Sequence, residues 1–207
     1  MLAALVVALV VAELLERPLL RGLFKTAASL TFVGAGALFL PLQAATGRLL
    51  FAGLVLSLIG DVALIAKGRK ALFLLGLASF LIAHLCYAAA FAAFGQEAGV
   101  AVAAASAALV LGLGIGRWLA PHVRGSMRAP VALYVAAIST MVALAAGAYG
   151  AAARPTLLVG AVLFYLSDLC VARERFVARS RWNGVIGLPL YYAAQLNLVD
   201  GLQEPGP

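Results

Sequence analysis

Residues 71–94 read ALFLLGLASFLIAHLCYAAAFAAF, a run of 24 positions without one Asp, Glu, Lys or Arg. A helix needs about 20 mostly apolar residues to cross a bilayer. This stretch is long enough, and Lys67-Gly68-Arg69-Lys70 precedes it while Gly95-Gln96-Glu97 closes it. It reads as a membrane-spanning helix. The rest of the chain repeats the pattern. Seven more apolar runs cover roughly Leu2–Glu16, Arg21–Leu40, Arg48–Ala66, Ala98–Ala120, Ala129–Gly150, Pro155–Ala172 and Trp182–Val199. Short connections marked by proline, glycine or charge separate them. The expectation is an all-α polytopic membrane bundle of eight transmembrane helices, residues 1–207 forming a single transmembrane domain.

Composition agrees. Of 207 residues, 65% are hydrophobic and 11% charged. A soluble domain is about 45–50% apolar and about 25% charged. No polar stretch is long enough to fold alone. The net charge of +7 does not point to nucleic acid, because the basic residues lie between apolar runs and act as topology signals. The first run has no basic residues before it and no small-residue cleavage site after it, so it reads as a retained helix. Thirteen Lys and Arg fall in alternate connections: Arg17, Arg21, Lys25; Lys67, Arg69, Lys70; Arg117, Arg124, Arg128; and Arg173, Arg175, Arg179, Arg181. Only Arg48 and Arg154 fall on the other side. The bias places both termini outside and the basic connections in the cytoplasm, in a bacterial inner membrane.

Two aspartates interrupt this apolar plan, in similar surroundings: Leu58-Ile59-Gly60-Asp61-Val62 and Tyr165-Leu166-Ser167-Asp168-Leu169. A carboxylate at membrane depth is costly unless it faces a polar interior, so each marks a functional site by default. They are 107 positions apart, and Ala83-His84 and Ala194-Gln195 in the following spans are 111 apart. A 4+4 parallel internal repeat accounts for both spacings. At 1.5 Å rise per residue, Asp61 and Asp168 lie roughly 8–9 Å in from their basic loops, and Lys25 and Tyr134 roughly 6–9 Å in from theirs. His84 and Gln195 lie deeper, roughly 21 Å from theirs. Phe80, His84, Tyr87 and Phe91 share one helix face, as do Leu188, Tyr191, Gln195 and Leu198. The expectation is a polar cavity open to the basic side and narrowing inward.

Plainer readings exist for each residue. The aspartates are also suited to pairing with Lys25 or a cytoplasmic arginine as structural glue, Lys25 to snorkelling, His84 to packing, and the tyrosines to amphipathic packing. Cys86 and Cys170 read as small hydrophobes. The Gly112, Gly114 and Gly116 run reads as close helix packing. No His-x-x-x-His or Glu-x-x-His pair supports a metal, and no cofactor is expected.

Gly60-Asp61 with its basic loop, Phe80 to Tyr87 as Phe-x-x-x-His-x-x-Tyr, Ser167-Asp168 with Arg175-Phe176, and Tyr191-Tyr192-Ala193-Ala194-Gln195 together resemble the YhhN, or lysoplasmalogenase, family. Lys25 matches the family's lysine at the start of the second span, with Thr26 where a proline often follows. Pro130 to Tyr134, with Ser139 and Met141, resembles its sixth helix. The resemblance implies eight spans and hydrolysis of the vinyl-ether bond of a lysophospholipid, the lysoplasmalogen, to a fatty aldehyde and a glycerophospho-headgroup. Its partners would be that substrate and the membrane lipids; the oligomeric state is not legible. Vinyl-ether hydrolysis needs an acid to protonate carbon and a carboxylate to face the resulting cation, roles that glycosidases give to paired carboxyls. Asp61 and Asp168 suit that division, with His84 as a third catalytic group. Tyr87, Tyr134, Tyr191 and Gln195 would position substrate or water, and Lys25 would meet the phosphate. The competing readings are a proton-coupled transporter and a lipid-binding membrane protein without turnover.

Overall fold

The computed structural model describes residues 1–66, 68–152 and 154–201; Lys67, one of the basic-connection residues, lies outside them. Eight α-helices follow one another among the described residues: α1 Leu2–Leu14, α2 Pro18–Phe39, α3 Ala45–Ala63, α4 Lys70–Ala92, α5 Ala98–Leu119, α6 Arg128–Ala152, α7 Pro155–Ala172 and α8 Arg181–Asp200. Each expected span lies on one helix. Pro18 and Pro155 open α2 and α7, where the missing N–H costs nothing. Glu97 caps α5 through the backbone N–H groups of Gly99 and Val100. Gly95, at φ +83°, makes the turn after α4 in a conformation that suits only glycine well.

The eight expected helices are all present among the described residues, and six of them have the length and apolarity of a crossing. Among the described residues, α1 and α8 are the helices outside those six. With 13 residues, α1 is about 20 Å long, short of a hydrocarbon core of about 30 Å. The 20 residues of α8 have the length but carry Asn183, Gln195, Asn197 and Asp200. Part of its polarity belongs to the interior: Asn183, Tyr191, Tyr192 and Gln195 are buried, whereas Asp200 is exposed.

Neighbouring helices pack in a ring-like order, α1 on α2, α2 on α3, α3 on α4, α5 on α6, α6 on α7 and α7 on α8. The two ends are joined by α4 against α6 and by α8 against α1 and α2. The core is aromatic, with Phe32, Tyr87, Phe91, Phe164 and Tyr192 fully buried. Two glycines of α3, seven positions apart and so on one face, let α4 lie against the α3 backbone. A methyl group at Gly53 would run into the Tyr87 ring, and one at Gly60 into the Phe80 ring. By contrast α5 stands at the margin, burying only Ile115 and Leu119 among its described residues. The close-packing reading of its glycines holds only for Gly112, which faces Ser139 of α6; Gly114 and Gly116 have open space beside them.

Candidate active site

All eight residues expected at the site come together, in three knots around one phenyl ring. The first knot holds Asp61 of α3. Lys25 Nζ lies 3.0 Å from Asp61 Oδ1. Ser29 Oγ and Tyr191 OH each donate to Asp61 Oδ2 at 2.6 Å. Tyr192 OH donates to the Lys25 carbonyl at 3.0 Å and lies 3.2 Å from Ser29 Oγ. The Asp61 side chain is 2% exposed and that of Lys25 8%. A buried charge persists only when paired and hydrogen-bonded, and Asp61 has a cation and two hydroxyl donors.

The second knot holds Asp168 of α7. Tyr134 OH donates to Asp168 Oδ2 at 2.7 Å, and His84 Nε2 stands 3.5 Å from the same oxygen. Asp168 Oδ1 has no bonded partner among the described residues, and the side chain is 16% exposed. The two carboxylates, alike in sequence context, are thus unlike in surroundings. Asp61 is ion-paired and enclosed. Asp168 has only a phenol and an imidazole beside one oxygen, and it reaches the exterior.

The third knot lies between α4 and α8. Tyr87 OH donates to Gln195 Oε1 at 3.0 Å and sits 3.3 Å from Ser57 Oγ. Gln195 Nε2 and both ring nitrogens of His84 are buried without a hydrogen bond among the described residues. Unmet polar groups in a core are costly; of these three atoms His84 Nε2 still faces Asp168 Oδ2 at 3.5 Å.

Phe164 of α7 joins the knots. Its ring centroid is 4.7 Å from His84, 5.3 Å from Tyr191, and 6.2 Å from both Phe80 and Tyr87. His84 in turn meets Tyr134 edge-on at 5.2 Å. The shared faces expected on α4 and α8 are therefore the faces that line the site.

Two expectations change. His84 was placed well below Asp168, yet their side chains are neighbours. Side chains tilt toward the N-terminus of their own helix. α4 and α7 run in opposite directions, so His84 leans toward the basic side and Asp168 leans inward. The open polar cavity is also revised: His84 and Gln195 are fully buried, the rings fill the space between the knots, and Asp168 is the exposed edge. Lys25, expected to meet a phosphate, has its ammonium on Asp61. Sequence reasoning missed Ser29, and it named Tyr192 in a motif without giving it a place in the site. Ser29 lies four residues after Lys25 and so on the same helix face, which was the available signal.

Residues 20–202 match the YhhN family. Among curated relatives, the "Lysoplasmalogenase" of Mycobacterium bovis is 32% identical, across 74% of this chain and 60% of that protein. "Lysoplasmalogenase TMEM86A" of Bos taurus is 32% identical across 71% of this chain and 62% of its own length. "Lysoplasmalogenase TMEM86B" of Mus musculus is 32% identical across 76% and 65%. The chain spans about three fifths of the length of these relatives. No solved structure matches it.

Proposed function

The chain belongs to the YhhN family, and from that membership and its paired carboxylates we propose that it is a multi-pass membrane hydrolase of lysoplasmalogenase type. The substrate is a lysophospholipid with a vinyl-ether chain. The observation that carries this reading is the inequality of Asp61 and Asp168. Vinyl-ether hydrolysis needs one carboxyl that can hold and deliver a proton and one that stays ionised. Environments that set two carboxyls apart assign those roles.

In this mechanism Asp168 carries its proton on Oδ1, the oxygen left free when Tyr134 binds Oδ2. It delivers that proton to the β-carbon of the enol ether. The C=C electron pair forms the new C–H bond, and the α-carbon becomes an oxocarbenium ion. Asp61, paired with Lys25 and hydrogen-bonded by Ser29 and Tyr191, opposes the new positive charge; such fixed electrostatics is a large part of most catalysis. Water placed by His84 and Gln195 attacks the α-carbon and gives its proton to Asp168, restoring the carboxylic acid. The hemiacetal then moves its hydroxyl proton to the glyceryl oxygen, releasing fatty aldehyde and the glycerophospho-alcohol. One water is consumed. Tyr87 holds Gln195 in position. An ammonium carries three N–H donors, so Lys25 on Asp61 can also donate to a phosphate oxygen.

A 4+4 parallel repeat belongs to the same proposal. Asp61 takes partners from α2 and α8, and Asp168 from α6 and α4. Advancing each helix number by four converts one set into the other. The helix pairs α1·α2, α2·α3, α3·α4 and α4·α6 have the counterparts α5·α6, α6·α7, α7·α8 and α8·α2. The same symmetry is what favours the transporter as a second reading. Purified protein in detergent, given lysoplasmalogen, separates them. Release of fatty aldehyde supports the hydrolase; a folded, monodisperse protein that releases none rejects it, since a transporter needs sealed vesicles to show itself. The proposed setting is the bacterial inner membrane, with the basic connections in the cytoplasm.

A further inference from the structure

A large concavity lies away from the carboxylates, between α5 and α6. It is a groove of about 1150 Å³. On α5 its lining runs from Ala101 to Ala120, roughly 28 Å along the axis, against a hydrocarbon core of about 30 Å. Neither Asp61 nor Asp168 lines it, and no carboxylate does among the described residues. The walls are small: Ala105, Ala108, Gly112, Ala132 and Ala136 face the trough. Small residues ordinarily draw two helices into contact. Here Gly116, on the groove wall, has nothing within 4 Å of where a Cβ would stand.

Charge identifies what fills it. Arg117, in the last turn of α5, and Arg128, the first residue of α6, both line the same end. Neither has an acidic partner among the described residues. Arg128 Nε donates to the Val123 carbonyl at 3.2 Å, which steadies the guanidinium and leaves its terminal amino groups for a ligand. Guanidinium groups suit phosphate through paired N–H donors. We infer that the α5–α6 groove is a binding site for an anionic phospholipid of the surrounding bilayer, its phosphate on Arg117 and Arg128 and an acyl chain in the trough. The site is separate from the proposed hydrolytic centre.

The test is native mass spectrometry of the full chain from mixed micelles of dioleoyl phosphatidylglycerol and dioleoyl phosphatidylcholine. The wild type retains the glycerol lipid over the choline lipid by about tenfold, the scale of two arginines acting on one net charge. Arg117→Gln with Arg128→Gln brings the ratio to about one, and Ala105→Phe, which fills the trough, lowers retention of both lipids. Thermal unfolding of each variant confirms that it is folded. Equal retention by the wild type, or a preference that survives loss of both arginines, overturns the inference. So does a stable dimer whose cross-links run through α5 of both copies, since a second copy would then cover the groove.

Discussion

Lys25 Nζ and Asp61 Oδ1 are 3.0 Å apart, and both side chains are shut away from solvent. Breaking a buried pair from one side leaves an uncompensated charge and costs about 3–5 kcal/mol. Lys25→Met and Asp61→Asn should each lower stability on that scale. The double variant, which removes the pair as a unit, should regain most of it yet show no turnover. Thermal unfolding in detergent beside an aldehyde assay reads both. A double variant with near-native turnover would reduce Asp61 to a structural role.

Asp168 has no ammonium beside it and is the exposed edge of the site. Asp168→Asn should therefore leave the unfolding midpoint near that of the wild type. Its rate should fall by about 10²–10⁴-fold, the usual worth of a general acid. A variant that unfolds, rather than one that is folded and inert, would assign Asp168 to the scaffold.

Tyr134 acts on the reaction through Asp168 Oδ2, at 2.7 Å. Removing one hydrogen bond to a charged or reacting carboxyl is worth about 1.5–3 kcal/mol. Tyr134→Phe should lower kcat by about tenfold or more and leave KM little changed, because the phenol is engaged on Asp168. A change confined to KM would make Tyr134 a substrate contact instead.

Gly53 lets the Tyr87 ring lie on the α3 backbone. Gly53→Ala should force that ring aside, weaken the Tyr87–Gln195 bond, and cost about 1–3 kcal/mol as overpacking does. The unfolding midpoint of Gly53→Ala, compared with Gly34→Ala, where nothing lies within 4 Å, checks this. Equal midpoints would show that α4 has room to move.

Much of this was legible in the sequence because lipid imposes simple rules. Apolar length located all eight helices, and the cost of intramembrane charge singled out Asp61 and Asp168. Three-four spacing found the faces carrying His84, Tyr87, Tyr191 and Gln195. What was not legible depends on how helices meet. Apolar length alone treats α1 and α8 like the other six helices, although α1 is short and α8 carries part of the polar site. Depth counted along each helix separated His84 from Asp168, because it ignores the opposite tilt of side chains on antiparallel helices. The inequality of the two carboxylates was hidden as well. Lys25 is 36 positions from Asp61, and only packing decides which aspartate it meets.

The central claim is that this site cleaves a vinyl ether by protonating carbon, with Asp168 as the donor. Hydrolysis of lysoplasmalogen by the purified protein in heavy water, with the aldehyde trapped by reduction as it forms, tests it most directly. The account expects one deuterium on the carbon next to the carbonyl in the wild-type product, a slower rate than in ordinary water, and no product above background from Asp168→Asn. Aldehyde without deuterium at that carbon, or near-native turnover by Asp168→Asn, would contradict it.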